Sequence, residues 1–591
     1  MSSLSPAVVL LFGALLLPFV PRRARSLAFL FLPLLAFVFV SHFEEGTSST
    51  LRFLDFELVP LRVDRLSLAF GYVFILIAFL GGVYSYHLKD IGQQVAALVY
   101  VGSSLGVLFA GDFFTLFFFW EIMAVGSVYL IFARRTDDSR EAGFRYLLVH
   151  LFGGSALLAG ILWHYAETGS ILFEQSAGGP GDYLILLSFS INAAIPPLHA
   201  WLTDSYPEGT VTGSVFLSAF TTKTAVYALA RGFAGSEILM IAGTVMALYG
   251  VVFAFLQNDI RRVLAYHIVS QVGYMIAGIG IGTEVAINGS TAHAFAHILY
   301  KGLLFMGAGA VLYSTGKSKM SELGGLARSL PWVLLLYMIG ALSISAFPLF
   351  SGFVSKSLVV HAAELNHETI VVLLLNLASV GTFLSIGLKV PYLTWFGPER
   401  SINTQPVPWN MYAGMILAGG VNLVIGVYPE LLYRVMPFPV AYRPYTAAHL
   451  LETLQLLAFA GLAFWLVIDK IHAEPVIMLD FDWFYRRPAP VLFRLTVVSL
   501  DRLFSAAELM TLNFARRLAQ ACANPLQFAS RFLSQSSDSG DRPFVGDKVF
   551  YDPNRYRLSV GFIILVVLSC FVILLAWNIF AVYGAHYPTL R

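Results

Sequence analysis

Ionisable side chains stand in the middle of long apolar runs at several points of this 591-residue chain. Glu121 lies in FFFWEIMAVGSVYLIF, Lys223 in SAFTTKTAVYALAR and Lys356 in FSGFVSKSLVV. His293, His297 and Lys301 follow at i, i+4 and i+8 in HAFAHILYK, a spacing that puts all three on one helix face. His267 sits early in the preceding run, and Lys389 stands near Pro391 late in another. Carboxylate, imidazole and amine groups in this arrangement suit the stepwise passage of a proton. An amine stripped of water releases its proton more readily, a nearby carboxylate opposes that, and imidazole exchanges close to neutral pH. Each such group costs several kcal/mol in an apolar medium unless it meets a partner or water, so each is a functional candidate. A single histidine also reads as a packing residue, and Lys389 as a side chain whose head snorkels to the membrane surface.

The backbone around these groups is broken in two places. Residues 191–202, INAAIPPLHAWL, put Asn192, Pro196, Pro197 and His199 inside an apolar run, and FPLFSG puts Pro348 and Gly352 inside another. Proline removes a helix hydrogen bond, and irregular backbone at membrane depth is tolerated only inside protein or beside a watery cavity. Paired interruptions point to inverted repeats with the ion path at the breaks.

The elements that must position these groups are membrane helices. The chain is 58% hydrophobic and 12% charged, with 50 phenylalanines. At about 20 residues per crossing, the apolar runs give about sixteen transmembrane helices in an all-α polytopic protein. Two inverted five-helix repeats are expected, spans four to eight (93–233) and nine to thirteen (237–395), with helices seven and twelve broken. Residues 1–92 hold the first three spans, 410–469 two more, and 557–591 the last span and tail. Alternate loops carry the basic residues, among them Arg22, Arg23, Lys89, Arg134, Arg140, Arg261, Lys317 and Arg400. By the positive-inside rule these loops are cytoplasmic and both termini lie outside. A bacterial cytoplasmic membrane is the expected location. The N-terminal charges follow the first apolar stretch, which therefore reads as a retained helix rather than a cleaved signal. Segment 470–556 falls on the cytoplasmic side and contains an amphipathic stretch, either a connector or a strut along neighbouring subunits. Pro525 is expected to end or bend that stretch, and 534–543 to form a mobile loop.

A net charge of +2 gives no reason to expect a nucleic-acid partner, and Cys522 and Cys570 form no CxxC, so no metal or iron–sulfur site is encoded. No nucleotide or redox-cofactor motif is present, and no cofactor is expected.

The ordered series FFFWEIM (117–123), PLHAWLTDSYPEGTVTGS (197–214), TTKTAVYALAR (221–231), NDIRRVLAYHIVSQVGYM (258–275), HAFAHILYKGLLFMGAGAVLY (293–313) and FPLFSGFVSK (347–356) resembles the antiporter-like membrane subunits. These occur in respiratory complex I, membrane-bound hydrogenases and Mrp-type cation/proton antiporters, and the D subunit of the last is the nearest likeness. The resemblance implies that Glu121 is the fifth-helix gating glutamate and Lys223 the central relay lysine. It implies that His293, His297 and Lys301 connect the two halves and that Lys356 releases the proton outward. Expected partners are other membrane subunits of one complex, protons with Na+ as a candidate second ion, and the lipid bilayer. Asn192 is a departure. Many members carry there the lysine that pairs with the glutamate, and Thr203 replaces a common proline. The implied function is proton translocation in an Mrp-type Na+/H+ antiporter, or alternatively in a complex I-like or hydrogenase-linked pump. No catalytic motif of the chain's own is present, although such a pump would make it part of a quinone-reducing assembly. Two readings from other classes are a scaffold that has lost its path, and a haem-bearing electron-transfer subunit using membrane histidines such as His150 and His164.

Overall fold

The computed structural model describes residues 5–470, 480–523, 525 and 560–584. Among them, ten helices are long and apolar enough to cross a membrane, and four shorter apolar helices accompany them, Pro6–Phe19, Arg25–Ser41, Pro331–Ile344 and Gly561–Leu574. The chain divides into two units, Met1–Asp482 and Trp483–Arg591.

In the first unit, burial sorts the helices into centre and periphery. Ile260–Ile281 and Glu284–Thr315 each have 94% of their most apolar stretch buried inside the protein, against 11% for Ala447–Val467. The two central helices bury His267, His293, His297 and Lys301, and the outer ones leave Leu, Phe and Val exposed. Each central helix starts at a side-chain cap. Asp259 accepts from the Arg262 N–H and Thr283 from the Ala286 N–H, which satisfies amides that would otherwise be unbonded at a helix start. Glu237–Leu256 packs tightly on Ile260–Ile281 at Gly250, where an added Cβ would meet the Ser270 backbone.

The loops form two layers. On the face rich in basic residues, Arg134 pairs with Glu208 at 2.6 Å, Arg145 with Asp204 at 3.3 Å, and the Ala327 N–H bonds the Trp395 carbonyl. On the other face, Asp112 accepts from the Val59 N–H at 2.7 Å and Arg231 pairs with Asp64 at 2.5 Å.

The all-α expectation is corrected on that second face. Ser48–Phe53 and Phe56–Arg62 form an antiparallel hairpin whose turn residue Leu54 has φ 54°. The first strand is almost wholly exposed and the second partly buried, so the hairpin lies at the protein's surface.

Both expected breaks are present, and their backbones match. The first helix ends at Asn192, and the amides of Ala193, Ala194 and Ile195 fold back onto the carbonyls of Phe189, Ile191 and Ser190. The second ends at Ile344, and Ser345, Ala346 and Phe347 fold back in the same order onto Ala341, Ser343 and Leu342. Ala194 and Ala346 both take left-handed conformations, φ 59° and 56°, two residues before a proline. The chain resumes as Ala200–Ser205 and as Ser351–Leu365.

Two further helices depart from the continuous spans read from hydropathy. The stretch 211–233 is split into Gly213–Leu217 and Thr221–Gly232, just before Lys223. The helix beginning at Thr369 widens into π turns at Phe383–Lys389 and Tyr392–Phe396, around Pro391, which has no N–H to continue the ladder.

In the second unit, Ser499–Ala523 is a 25-residue helix with Leu503, Phe504, Met510 and Phe514 exposed, and Val560–Gly584 is almost wholly apolar. The loop expected at 534–543 lies outside the described residues.

Candidate proton path

The central helix Glu284–Thr315 carries His293, His297 and Lys301 on one face, spread over about 12 Å at 1.5 Å per residue. All three are 0% exposed. His293 reaches Ser355 at 3.2 Å through Nδ1, whereas both ring nitrogens of His297 and the Lys301 ammonium have no partner among the described residues. His267, on the other central helix, is likewise buried with both nitrogens unpartnered. Lys301 and His297 each lie within Coulombic reach of both Lys223 and Lys356.

Lys223 and Lys356 are held by carbonyls that the helix breaks leave free. Lys223 Nζ donates to the Ser218 carbonyl at 2.6 Å, in the gap between Gly213–Leu217 and Thr221–Gly232. Lys356 Nζ donates to the Ile344 carbonyl at 2.8 Å, the last residue of the second broken helix, and sits 4.9 Å above the Tyr274 ring. A cation there meets the negative end of the helix. Gly352 lets the resumed helix pass close by, since a Cβ would collide with the Ser343 carbonyl. Lys356 also lines a cavity of about 560 Å³ shared with Ser379, His361, Glu364, His449 and Glu452. Glu364 lies in the last turn of Ser351–Leu365 and Glu452 near the start of Ala447–Val467.

Glu121 stands outside this cluster. It is half-buried on Phe113–Phe132, and among the described residues it forms no ion pair. Its carboxylate occupies the space that a Cβ on Gly154 would take, and a Cβ on the adjoining Gly153 would be 3.7 Å from Asn192 Oδ1. The glycine pair thus seats Glu121 and Asn192 along the same stretch of Asp137–Thr168. The Asn192 amide is 1% exposed, and neither its nitrogen nor its oxygen has a partner.

A line of hydroxyls that was not read from the sequence runs from the helix of Glu121 to the helix of Lys223. Ser127, on the Glu121 helix, meets Tyr146 at 2.7 Å. Tyr146 lies 3.4 Å from Thr221, and Thr221 lies 2.6 Å from Tyr100. Thr221 opens the helix of Lys223. His150 stacks on Tyr146 with ring centroids 3.9 Å apart, and its Nε2 is unpartnered. Hydroxyls inside apolar helices are the signal that would have found this line, but nothing in their spacing says that they meet.

Two predicted residues lie apart. Lys389 bonds the carbonyls of Phe255 and Gln257, the latter at 3.0 Å, where it caps the end of Glu237–Leu256. His199, just after Pro196 and Pro197, meets Asp480 at 3.0 Å on the basic face. His164, a haem-ligand candidate, is engaged by Asp182 at 2.8 Å. Among the described residues no three His, Cys, Asp or Glu side chains gather as a metal site.

Residues 110–385 match the family described as "NADH:quinone oxidoreductase/Mrp antiporter, TM". The chain is 31% identical over 340 residues to the D subunit of the Na(+)/H(+) antiporter of Alkalihalophilus pseudofirmus, a match that covers 54% of this chain and 68% of that protein. The chain belongs to this antiporter-like family. It shares its fold with a chain of the Mrp complex from Dietzia sp., at TM-score 0.66 and 22% identity over 77% of this chain and 98% of that one. A chain of an archaeal membrane-bound sulfane sulfur reductase matches at TM-score 0.66 and 23% identity, covering 90% of this chain and 98% of that one. This member is a multi-pass membrane subunit, and its solved neighbours are parts of multisubunit membrane complexes.

Proposed function

We propose that the chain is the proton-translocating subunit of a multisubunit membrane complex, a D-like subunit of an Mrp-type monovalent cation/proton antiporter. The observation that carries this reading is the buried series Lys223, His297, Lys301, His293 and Lys356, which ends at the cavity of Glu364 and Glu452. Two unit charges about 8 Å apart repel by about 2 kcal/mol at an effective dielectric of about 20. A proton on one lysine therefore disfavours a proton on its neighbour, so loading one favours release from the next. Buried polar atoms without protein partners call for water, which would bridge His297, Lys301 and His267. Glu121 delivers protons to this series through the Ser127, Tyr146 and Thr221 hydroxyls, and Lys356 releases them at the cavity.

The matched breaks support two inverted repeats, 93–233 and 237–395, within about sixteen spans. The basic loops would be cytoplasmic, with both termini outside. Asn192 replaces the usual ammonium beside Glu121, so this half passes its proton without a fixed ion pair at that point.

A complex I-like or hydrogenase-linked pump is the second reading. It is favoured by the amphipathic helix Ser499–Ala523 and by the longer match to the sulfane sulfur reductase chain. Purification of the native complex and identification of its companion subunits separates the two. The shared claim is tested in vesicles of the assembled complex, where Lys223→Ala and Glu121→Ala should each abolish cation/proton exchange. Wild-type exchange in both variants would sink the relay.

A further inference from the structure

Beyond the last residue of Ala447–Val467, the chain returns to the first broken helix. Asp480 places its carboxylate against three side chains from three different segments. His199 Nε2 is 3.0 Å from Oδ2, Tyr266 donates its hydroxyl to the same oxygen, and Tyr249 donates to Oδ1. The Asp480 side chain is 7% exposed and that of His199 0%. The Tyr249 and Tyr266 rings flank the imidazole at centroid distances of 5.0 and 6.2 Å, and the other charged group within reach of Tyr249 is Asp482. On the far side of the ring, His199 Nδ1 is buried and has no partner among the described residues.

This geometry assigns the two ring nitrogens different work. An ionised carboxylate only accepts, so Nε2 carries a hydrogen and the neutral ring keeps Nδ1 as its free acceptor. We infer that Asp480 is a positioning residue for proton passage at the first broken helix, holding His199 by Nε2 so that Nδ1 takes up and returns the proton. When Nδ1 is protonated, the ring becomes an imidazolium and the carboxylate offsets its charge without itself accepting the proton, as an aspartate does behind a catalytic histidine. The Asp480 carboxyl is suited to that task. Burial alone would raise it, but the His199 contact and the two tyrosine hydroxyls bring it down to about 2.

The inference rests on the proton-translocation reading, and its experiment keeps the two separable. Infrared titration of the purified full-length chain reads Asp480 whether or not the chain conducts protons. The wild type minus Asp480→Asn difference should show a carboxylate still ionised at about pH 4, where ordinary aspartates are half protonated. His199→Gln should move that band to higher pH. In vesicles of the assembled complex, Asp480→Asn should slow proton flux about tenfold, and Asp480→Glu should restore most of it. A band that His199→Gln leaves in place, or wild-type flux in Asp480→Asn, would overturn the assignment. So would an equal loss in Asp480→Asn and Asp480→Glu. Failure of the Lys223→Ala test would instead count against the transport reading.

Discussion

The two broken helices share a backbone and differ in what is placed on it. At both, three amides fold back in the same order and an alanine turns left-handed two residues before a proline. At the second, the freed Ile344 carbonyl holds the Lys356 ammonium, and the site opens onto a cavity lined by carboxylates. At the first, the corresponding last residue is Asn192, whose buried amide has no partner, with Glu121 nearby and His199 tied to Asp480. A helix break is thus a general device that exposes carbonyls inside a membrane. The side chains set on it decide whether the site holds a cation or leaves a neutral gap in the path.

Removing the cation from the second break should have the largest effect. Lys356→Ala should reduce proton flux in vesicles by at least about a hundredfold, and retained flux would mean the cavity is not the exit. Giving the first break a cation should make the two alike. Asn192→Lys places an ammonium beside Glu121, which favours the carboxylate, so the acidic limb of the exchange profile should move to lower pH. An unchanged profile would place Asn192 off the path. A smaller effect is expected from Gly154→Ala. The new methyl displaces the Glu121 carboxylate rather than backbone, so exchange should fall several-fold, by about 1 kcal/mol of barrier, with assembly unaltered. Wild-type exchange there would show that the position of Glu121 is not critical.

The smallest effect concerns stability on the hairpin face. Burial alone would raise the Asp64 carboxyl, but Arg231 and the Ser67 amide hold it below the ordinary range. Its contribution is present above the unfolded value of about 4 and is lost as pH falls through the folded one. Asp64→Asn should therefore lower Tm by about 1 °C at pH 7, and the difference should close at acid pH. A deficit that persists in acid would assign the effect to something other than the carboxylate charge.

Much of the buried polar series was legible because a titratable group in an apolar run is conspicuous whatever surrounds it. Lys223, Lys301, Lys356 and the paired histidines needed only spacing and hydropathy, and the prolines marked both breaks. The rest depended on contacts between distant segments. Asp480 meets His199 from 281 positions away, and Tyr100 meets Thr221 from 121. Neither pairing leaves a periodic trace. The gap before Lys223 was missed because Ser218 and Phe220 are not breakers, and Ser218 shows its role only through the ammonium on its carbonyl. The hairpin was not legible, because Ser48–Thr50 and Leu58–Leu61 interrupt any alternation.

The central claim is that protons cross between the two breaks through Lys301, which reaches both flanking lysines and has no protein partner of its own. Its most direct test is proton flux through vesicles of the assembled complex carrying Lys301→Met, a substitution that preserves side-chain length and removes the titratable group. The account predicts loss of flux with normal assembly. Flux at the wild-type rate would contradict it.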